Sequence, residues 1–128
     1  MPIQLNHTIV AAGDKRKSAA FLAGVLGLTV GEQYGPFLPV AMANGVTLDF
    51  WDNPTEQVTP QHYAFLVEED EFDAIVGRLR AAGVTIYADP GRRMADRTNT
   101  WDGGRGAFFA DPNGHNMEIL TRAYGSGS

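Results

Sequence analysis

The chain has 128 residues, the length of one domain, and its 44% hydrophobic and 20% charged residues are ordinary values for a globular protein. It contains no cysteine, so disulfides, thiolate zinc sites and a cysteine nucleophile are excluded. The net charge of −5 argues against binding to nucleic acid, and no apolar run reaches the length that spans a membrane. The first residues have neither a basic start nor a long apolar stretch, so we expect no secretory signal and a cytoplasmic location.

The first half of the chain predicts a strand, a helix and three further strands. Residues 3–10 alternate with a period of two, which is typical of a strand. The face that we expect to point into the structure carries Ile3, Leu5, His7 and Ile9. A helix is predicted between Asp14, a good N-cap, and Gly27, which suits the left-handed conformation at a helix end. The three strand candidates are residues 28–34, 37–43 and 46–51.

The second half predicts the same order of elements after a polar linker at residues 52–60. A strand over residues 61–67 leads into an acidic helix start, an apolar stripe with helical spacing, and Gly83 at the helix end. The strand candidates that follow are residues 84–88, 106–110 and 115–121. The polar stretch 89–104 is long for a connection, and such loops are usually functional or mobile.

This order is an internal repeat, in which His7 is equivalent to His62 and Asp49 to Glu118. We therefore predict an α+β fold and a single domain over residues 1–124. It consists of two βαβββ modules, at about residues 3–52 and 61–122, that form an open, cupped mixed sheet around a metal site. Residues 125–128 are predicted to be a flexible tail.

The paired histidines suggest a shared ligand. A single inward histidine is more often bonded to a carbonyl or hydroxyl group, but a repeat that keeps one twice favours metal binding. With Glu118, His7 and His62 make a set of two imidazoles and one carboxylate, which suits Fe(II), Mn(II), Ni(II) or Zn(II). The alternative for Glu118 is an outward, solvated side chain. Asp49 remains open between a fourth ligand, a hydrogen-bond acceptor behind the ligands and a general base.

Four further residues are candidates for binding a flat or anionic substrate. They are Trp51, Trp101, Arg105 and Phe109. For the aromatic residues core packing is the competing interpretation, and for the arginine it is a solvated surface. His115 has the opposite strand parity to Glu118, so we interpret it as a residue that does not bind the metal.

Several motifs together resemble the vicinal oxygen chelate superfamily, which includes glyoxalase I, extradiol dioxygenases, fosfomycin-resistance enzymes and bleomycin-binding proteins. The matching motifs are LNHTIV at residues 5–10, FL at 21–22, LGL at 26–28, QHYAF at 61–65 and FADPNGHNME at 109–118. The resemblance implies paired βαβββ modules around a divalent metal held by His7, His62 and Glu118, and it implies a homodimer.

Within that superfamily the resemblance implies first an Fe(II)-dependent dioxygenase that acts with O₂ on an electron-rich aromatic or phenolic small molecule, such as an aromatic polyketide in antibiotic biosynthesis. Two alternatives are a glyoxalase-type lyase or isomerase with Asp49 as a fourth ligand, and a metal-free antibiotic-binding resistance protein. Residues 100–105 do not match the serine- and glycine-rich loop of the fosfomycin-resistance enzymes, which argues against that assignment. Whether a reduced flavin assists stays open.

Overall fold

The computed structural model describes residues 2–55 and 57–127, which divide into two compact units, Met1–Thr59 and Pro60–Ser128. In the described part of each unit, one α-helix accompanies one mixed three-stranded sheet. The predicted α+β class is thus confirmed, and each unit repeats the order strand, helix, strand, strand.

The first unit is built around a central strand. Its elements are β1 (His7–Ala12), α1 (Lys15–Leu26), β2 (Phe37–Ala41) and β3 (Thr47–Asp52). β3 runs parallel to β1 on one side and antiparallel to β2 on the other. α1 begins after Asp14, whose carboxylate accepts from the backbone N–H groups of Arg16 (3.0 Å) and Lys17 (3.3 Å). It ends at Gly27, where φ is +73°, as the sequence predicted.

The two faces of this first sheet are reversed relative to the prediction. Val10 on β1 and Phe50 on β3 are paired and fully buried, because α1 packs over their face. The face predicted to point inward is open, with Leu5 at 69% and Ile9 at 48% exposure, and His7 is exposed with them. The alternation was therefore correct, but the helix covers the opposite side of the strand.

The second unit repeats this arrangement. Its elements are β4 (His62–Leu66), α2 (Glu69–Ala81), a short 3-10 helix (Trp101–Gly103), β5 (Gly106–Ala110) and β6 (Asn116–Leu120). β6 lies in the centre, parallel to β4 and antiparallel to β5. The side chain of Glu71 accepts from the backbone N–H of Glu68 at 3.0 Å, which stabilises the start of α2. The apolar stripe of α2 is buried, and its members are Phe72, Ile75, Val76 and Leu79.

Two predicted strands are not regular strands in the structure. Residues 28–34 make only isolated bridges, including one from Val30 to Val40. Their neighbour β2 contains Pro39, whose carbonyl accepts from Gly31 at 2.8 Å but which has no N–H to donate in return. Residues 84–88 make one reciprocal pair, Tyr87 with Phe108, while Ile86 and Ala88 form hydrogen bonds with the loop 89–104 and Val84 donates to Leu79 of α2. Among its described residues, each module thus has three regular strands rather than the predicted four.

Candidate metal centre

Two of the predicted ligands meet on one face of the second sheet. Nε2 of His62 lies 3.1 Å from Oε1 of Glu118. The strand register explains this short distance. Ala64 on β4 is paired with Glu118 on β6, and His62 lies two residues before Ala64, so its side chain is on the same face of the sheet. The two side chains therefore stand diagonally on neighbouring parallel strands.

A hydrogen bond on the side of the ring away from Glu118 fixes the orientation of His62. Its Nδ1 lies 2.9 Å from the backbone carbonyl oxygen of Asn116, and a carbonyl can only accept a hydrogen bond. Nδ1 must therefore carry the proton, and in the neutral ring the lone pair of Nε2 points at Glu118. This arrangement, a backbone carbonyl behind the histidine and a free Nε2 in front, is typical of histidines that bind metals.

The pair fits a divalent cation. A neutral Nε2 and a carboxylate oxygen are both acceptors, so a proton or a metal ion must lie between them. Two ligands bound about 2.1 Å from one metal, at a right angle, lie about 3.0 Å apart, which matches the 3.1 Å observed here. Glu118 is 1% exposed whereas the His62 side chain is 48% exposed, so the pair is buried on one side and accessible on the other.

A third residue completes the surroundings of Glu118, and the sequence did not point to it. The hydroxyl of Tyr124 donates a short hydrogen bond to Oε2 of Glu118. Burial raises the pKa of this phenol, and its hydrogen bond to Glu118 and the charges of Glu118 and Asp102 raise it further, so the hydroxyl keeps its proton and acts as a donor. Tyr124 lies beyond the last strand, where no periodic pattern gives a side chain a direction.

The segment that carries Tyr124 is anchored rather than free. The backbone N–H groups of Gly125 and Gly127 lie 3.1 Å and 3.4 Å from Oδ1 of Asp102. The rings of Tyr124 and Trp101 are 6.2 Å apart. These contacts involve Gly125 and Gly127 of the predicted flexible tail at residues 125–128, which stays a prediction, and Ser128 lies outside the described residues.

Aromatic rings border the accessible side of the pair. Phe108 stacks on His62 with the ring centroids 6.1 Å apart, and Trp101 lies 5.8 Å from Phe108. Trp101 is 42% exposed, so it is available to a ligand near His62, as its predicted role requires. Phe109 does not fit its predicted role, because it is fully buried and pairs with Met117 on the other face of the sheet. The preceding residue, Phe108, is paired with Glu118 and lies on the same face of the sheet as Glu118.

Arg105 is engaged elsewhere in the second unit. Its guanidinium forms ion pairs with Glu69 (2.7 Å) and Asp73 (2.8 Å) of α2 and lies 4.5 Å from the ring centre of Phe72. Hydrogen bonds from Thr121 and Arg105 lower the pKa of Glu69, and the hydrogen bond from Arg105 lowers that of Asp73. These contacts link the start of β5 to the helix, and the predicted substrate-binding role of Arg105 stays a prediction.

His115 has partners that explain its burial without a metal. Its Nδ1 accepts from the backbone N–H of Gln61 at 2.9 Å, and its ring meets the edge of Tyr63. The backbone N–H of His115 donates to the carboxylate of Asp111 at 2.8 Å. The residue is fully buried in the unit and holds the turn before β6 against the start of β4.

The other predicted residues lie in the first unit. The register pairs Ile9 with Asp49 and His7 with Thr47, which puts His7 and Asp49 on the same face of their sheet. This is the diagonal relation that His62 and Glu118 have in the second unit. Nδ1 of His7 lies 2.7 Å from the side-chain oxygen of its neighbour Asn6, and Trp51 is half-buried on the same face as Asp49.

Three further observations concern the described residues as a whole. No group of three or more histidine, aspartate or glutamate side chains there is arranged to hold a metal ion. One buried side-chain acceptor in the same residues lacks a hydrogen-bond partner, Oδ1 of Asn116, two positions before Glu118 on the same strand face. No helix among them is long and apolar enough to cross a membrane.

Comparison with known families decides the identity of this fold. The family model of the Glyoxalase/Bleomycin resistance protein/Dioxygenase superfamily matches residues 4–119. The chain belongs to this superfamily. The resemblance seen in the sequence motifs is therefore confirmed, together with the fold of two repeated modules.

Members of the superfamily with known structures include two close matches to this chain. The solved structure of oxidase ChaP-H2 is 63% identical, with a TM-score of 0.97 and 100% of both chains covered. That of oxidase ChaP-H1 is 52% identical, with a TM-score of 0.94, and covers 97% of this chain and 99% of its own. The glutathione transferase FosA of Serratia marcescens is 32% identical over 120 residues, covering 90% of this chain and 78% of FosA. The prediction that the chain is an enzyme is confirmed, and a divalent metal is the part of the cofactor prediction that these matches support.

Proposed function

We propose that this chain is a metal-dependent oxygenase that acts with O₂ on an electron-rich aromatic or phenolic small molecule. The observation that carries the proposal is the approach of His62 and Glu118 to 3.1 Å, with the ring fixed from behind by the carbonyl of Asn116. The similarity to two oxidases over nearly the whole chain supports the same reaction class.

The proposed ligand set is His62 and Glu118 from the second unit with His7 from the first. Two imidazoles and one carboxylate are the ligands that non-haem Fe(II) oxygenases use, and they leave positions for substrate and O₂. Fe(II) is therefore the proposed metal, and the same set also suits Mn(II), Ni(II) and Zn(II). When bound, Fe(II) supplies the one-electron chemistry that lets O₂ react with an organic molecule.

The other residues of the chain bind the substrate and handle its proton. Trp101 and Phe108 form an aromatic wall beside His62, which suits stacking on a flat ring. Trp51 is proposed to contact the substrate from the first unit. Asp49, half-buried on the same sheet face as His7, is proposed to accept the proton of a substrate hydroxyl. An ionised phenol is more electron-rich and therefore more reactive toward O₂.

The electron balance separates two forms of the reaction. If both atoms of O₂ enter the product, the aromatic substrate supplies all the electrons and no other reductant is needed. If one atom leaves as water, two further electrons are required, and a reduced flavin would be the co-substrate. We propose the first form, because it needs no reductant other than the substrate itself.

The test begins with the metal content of protein purified without oxygen, followed by O₂ uptake on a panel of catechols and polycyclic quinols. About one iron per chain with substrate-dependent O₂ uptake supports the proposal. Uptake that needs a reduced flavin supports the second form of the reaction. Nickel or zinc without O₂ uptake overturns the oxygenase, and a wild-type chain that takes up no metal overturns any metal-dependent function and leaves binding of an aromatic antibiotic.

One observation favours a second candidate, a non-redox lyase or isomerase of glyoxalase type. Asp49 has the same register relation to His7 that Glu118 has to His62, so it can serve as a fourth ligand. Four protein ligands would hold Ni(II) or Zn(II), which would stabilise a developing enediolate. The variant Asp49→Leu distinguishes the two candidates. It abolishes metal binding together with isomerisation in the second, whereas in the first it leaves the metal bound and impairs the reaction with O₂.

A homodimer and a cytoplasmic location remain proposals. The open face of β1 exposes Leu5 and Ile9, and Leu66 on β4 is 66% exposed, which is apolar surface that a second copy of the chain would cover. The oligomeric state in solution tests this directly, by light scattering at several protein concentrations.

A further inference from the structure

The segment of residues 122–127, here called the strap, lies over the ligand Glu118 and carries Tyr124 at its centre. We infer that Tyr124 is a positioning residue. Its hydroxyl holds Oε2 of Glu118 so that Oε1 faces His62 and the metal. The inference rests on the proposed function, because it assumes that His62 and Glu118 bind a divalent metal.

The need for such a residue follows from the carboxylate itself. The terminal torsion of a glutamate side chain is broad, so an unrestrained carboxylate can rotate and offer either oxygen. A hydroxyl that donates to one oxygen removes this freedom and leaves the other oxygen as a single ligand. Hydrogen bonds to a carboxylate are stronger than those between neutral groups, and the acceptor here, the Glu118 side chain, is 1% exposed, although Tyr124 itself is 55% exposed.

The position of the strap depends on a residue in the long loop. Oδ1 of Asp102 accepts from the backbone N–H groups of Gly125 and Gly127, which follow Tyr124 in the chain, at 3.1 Å and 3.4 Å. Asp102 has a φ of +56°, in the left-handed region where aspartate and asparagine are tolerated better than other non-glycine residues. The anchor can therefore be tested with one variant that removes the acceptor oxygen and one that keeps it.

An alternative role for Tyr124, competition with the metal for Glu118, predicts the opposite change in metal affinity. If Tyr124 competed with the metal for Glu118, removing its hydroxyl would strengthen metal binding. If Tyr124 positions Glu118, removing the hydroxyl weakens binding, because partners that orient a ligand typically change metal affinity by about 10- to 100-fold. The sign of the change decides between the two roles.

The experiment measures the dissociation constants of Co(II) and of Fe(II), the latter without oxygen, for the full chain by competition with a chromogenic chelator. Tyr124→Phe is expected to weaken binding about 10-fold and to alter the visible spectrum of bound Co(II). Tyr34→Phe removes a hydroxyl from a tyrosine that is 75% exposed and should leave both readouts unchanged. Asp102→Ala should weaken binding in the same direction as Tyr124→Phe, whereas Asp102→Asn keeps the acceptor oxygen and should restore it.

The outcomes separate this inference from the proposed function. If the wild-type chain binds the metal and Tyr124→Phe binds it equally well or more tightly, the positioning role is overturned and the proposed function stands. If the wild-type chain binds no divalent metal, both are overturned. Thermal melting of each apo variant identifies one that fails to fold, and in that case Asp102→Ala against Asp102→Asn supplies the same test without changing the tyrosine.

Discussion

Nε2 of His62 and Oε1 of Glu118 lie 3.1 Å apart on neighbouring parallel strands, at positions that the internal repeat matches with His7 and Asp49. Parallel pairing needs a crossover connection, so residues far apart in sequence come to share one face of a sheet. The repeat places this geometry once in each unit. In the second unit the two positions carry a histidine, whose ring orientation is fixed by a hydrogen bond, and a buried glutamate.

Replacing His62 should remove the metal while leaving the fold intact. His62→Ala is expected to lower the affinity for Co(II) at least 100-fold, because it deletes one ligand of the pair, while the melting temperature changes little, because the side chain is 48% exposed. His115→Leu is the matched control. It should keep the metal but cost about 1–3 kcal/mol of unfolding free energy, because the backbone N–H of Gln61 loses its hydrogen bond to the fully buried His115 ring. Metal titration and urea unfolding measure the two effects. Loss of metal from both variants would contradict the separate roles.

Mixing two inactive variants should reveal whether a site is shared between chains. His7→Ala and His62→Ala each lose a proposed ligand, so neither should bind Fe(II) alone. If ligands come from two chains, half of the sites in a mixed dimer are intact and half lack both histidines, so the mixture regains metal after exchange of subunits. If one chain supplies all ligands, no site is restored. We expect restoration, because a homodimer is proposed and only two of the proposed ligands come together in the described second unit, so a partner chain can supply the third. Iron content and O₂ uptake after refolding the mixture provide the measurement.

The contacts of Arg105 predict a pH-dependent contribution to stability. The folded state lowers the pKa of Glu69 and Asp73, so their contribution is complete above their unfolded values and declines as pH falls through the lowered folded values. Arg105→Met should lower the melting temperature by a few degrees at pH 7, and this difference should shrink as the pH falls below the ordinary pKa values of the two carboxyl groups. Glu69 keeps its hydrogen bond from Thr121 in the variant, which limits the effect.

The matched control for this prediction is Arg80→Met, which removes the same charge from the last turn of α2. It should lower the melting temperature less, and without the dependence on the two carboxylates. A difference between wild type and Arg105→Met that stays constant down to pH 3 would show that packing on Phe72, rather than the ion pairs, stabilises this contact. Calorimetry over the pH series distinguishes the two.

The glycine that begins β5 should not tolerate a side chain. A Cβ on Gly106 would lie 2.7 Å from Oδ1 of Asn99, whose Nδ2 donates to the carbonyl of Ala88 at 2.8 Å. Gly106→Ala is therefore expected to destabilise the fold by about 1–3 kcal/mol and to displace the loop that carries Trp101. Gly77→Ala lies in the middle of α2, where a Cβ meets nothing within 4 Å, and should stabilise by up to about 1 kcal/mol. Denaturant unfolding gives both signs, and equal destabilisation by the two would contradict the steric argument.

Local chemistry explains which parts of the fold were predictable. Asp14 and Gly27 bracket α1 as predicted, because capping depends on a side chain and the backbone within one turn of it. Residues 28–34 and 84–88, which were predicted as strands but are not regular strands, show the limit of such local reasoning. A strand needs a partner that can both donate and accept, and Pro39 in β2 is a property of the partner rather than of the segment.

The sequence by itself determined the repeat, the helix boundaries, the pairing of His62 with Glu118 as candidate ligands, and the family. These depend on periodicity, caps and motifs that are local or repeated along the chain. Only the tertiary structure decided which sheet face each helix covers and that Phe108 rather than Phe109 lies beside Glu118. It also decided that Arg105 forms an ion pair with a residue of α2. It alone revealed Tyr124 on Glu118, because a hydrogen bond between a strand and the segment beyond it depends on how the chain turns back, which no pattern in the sequence encodes.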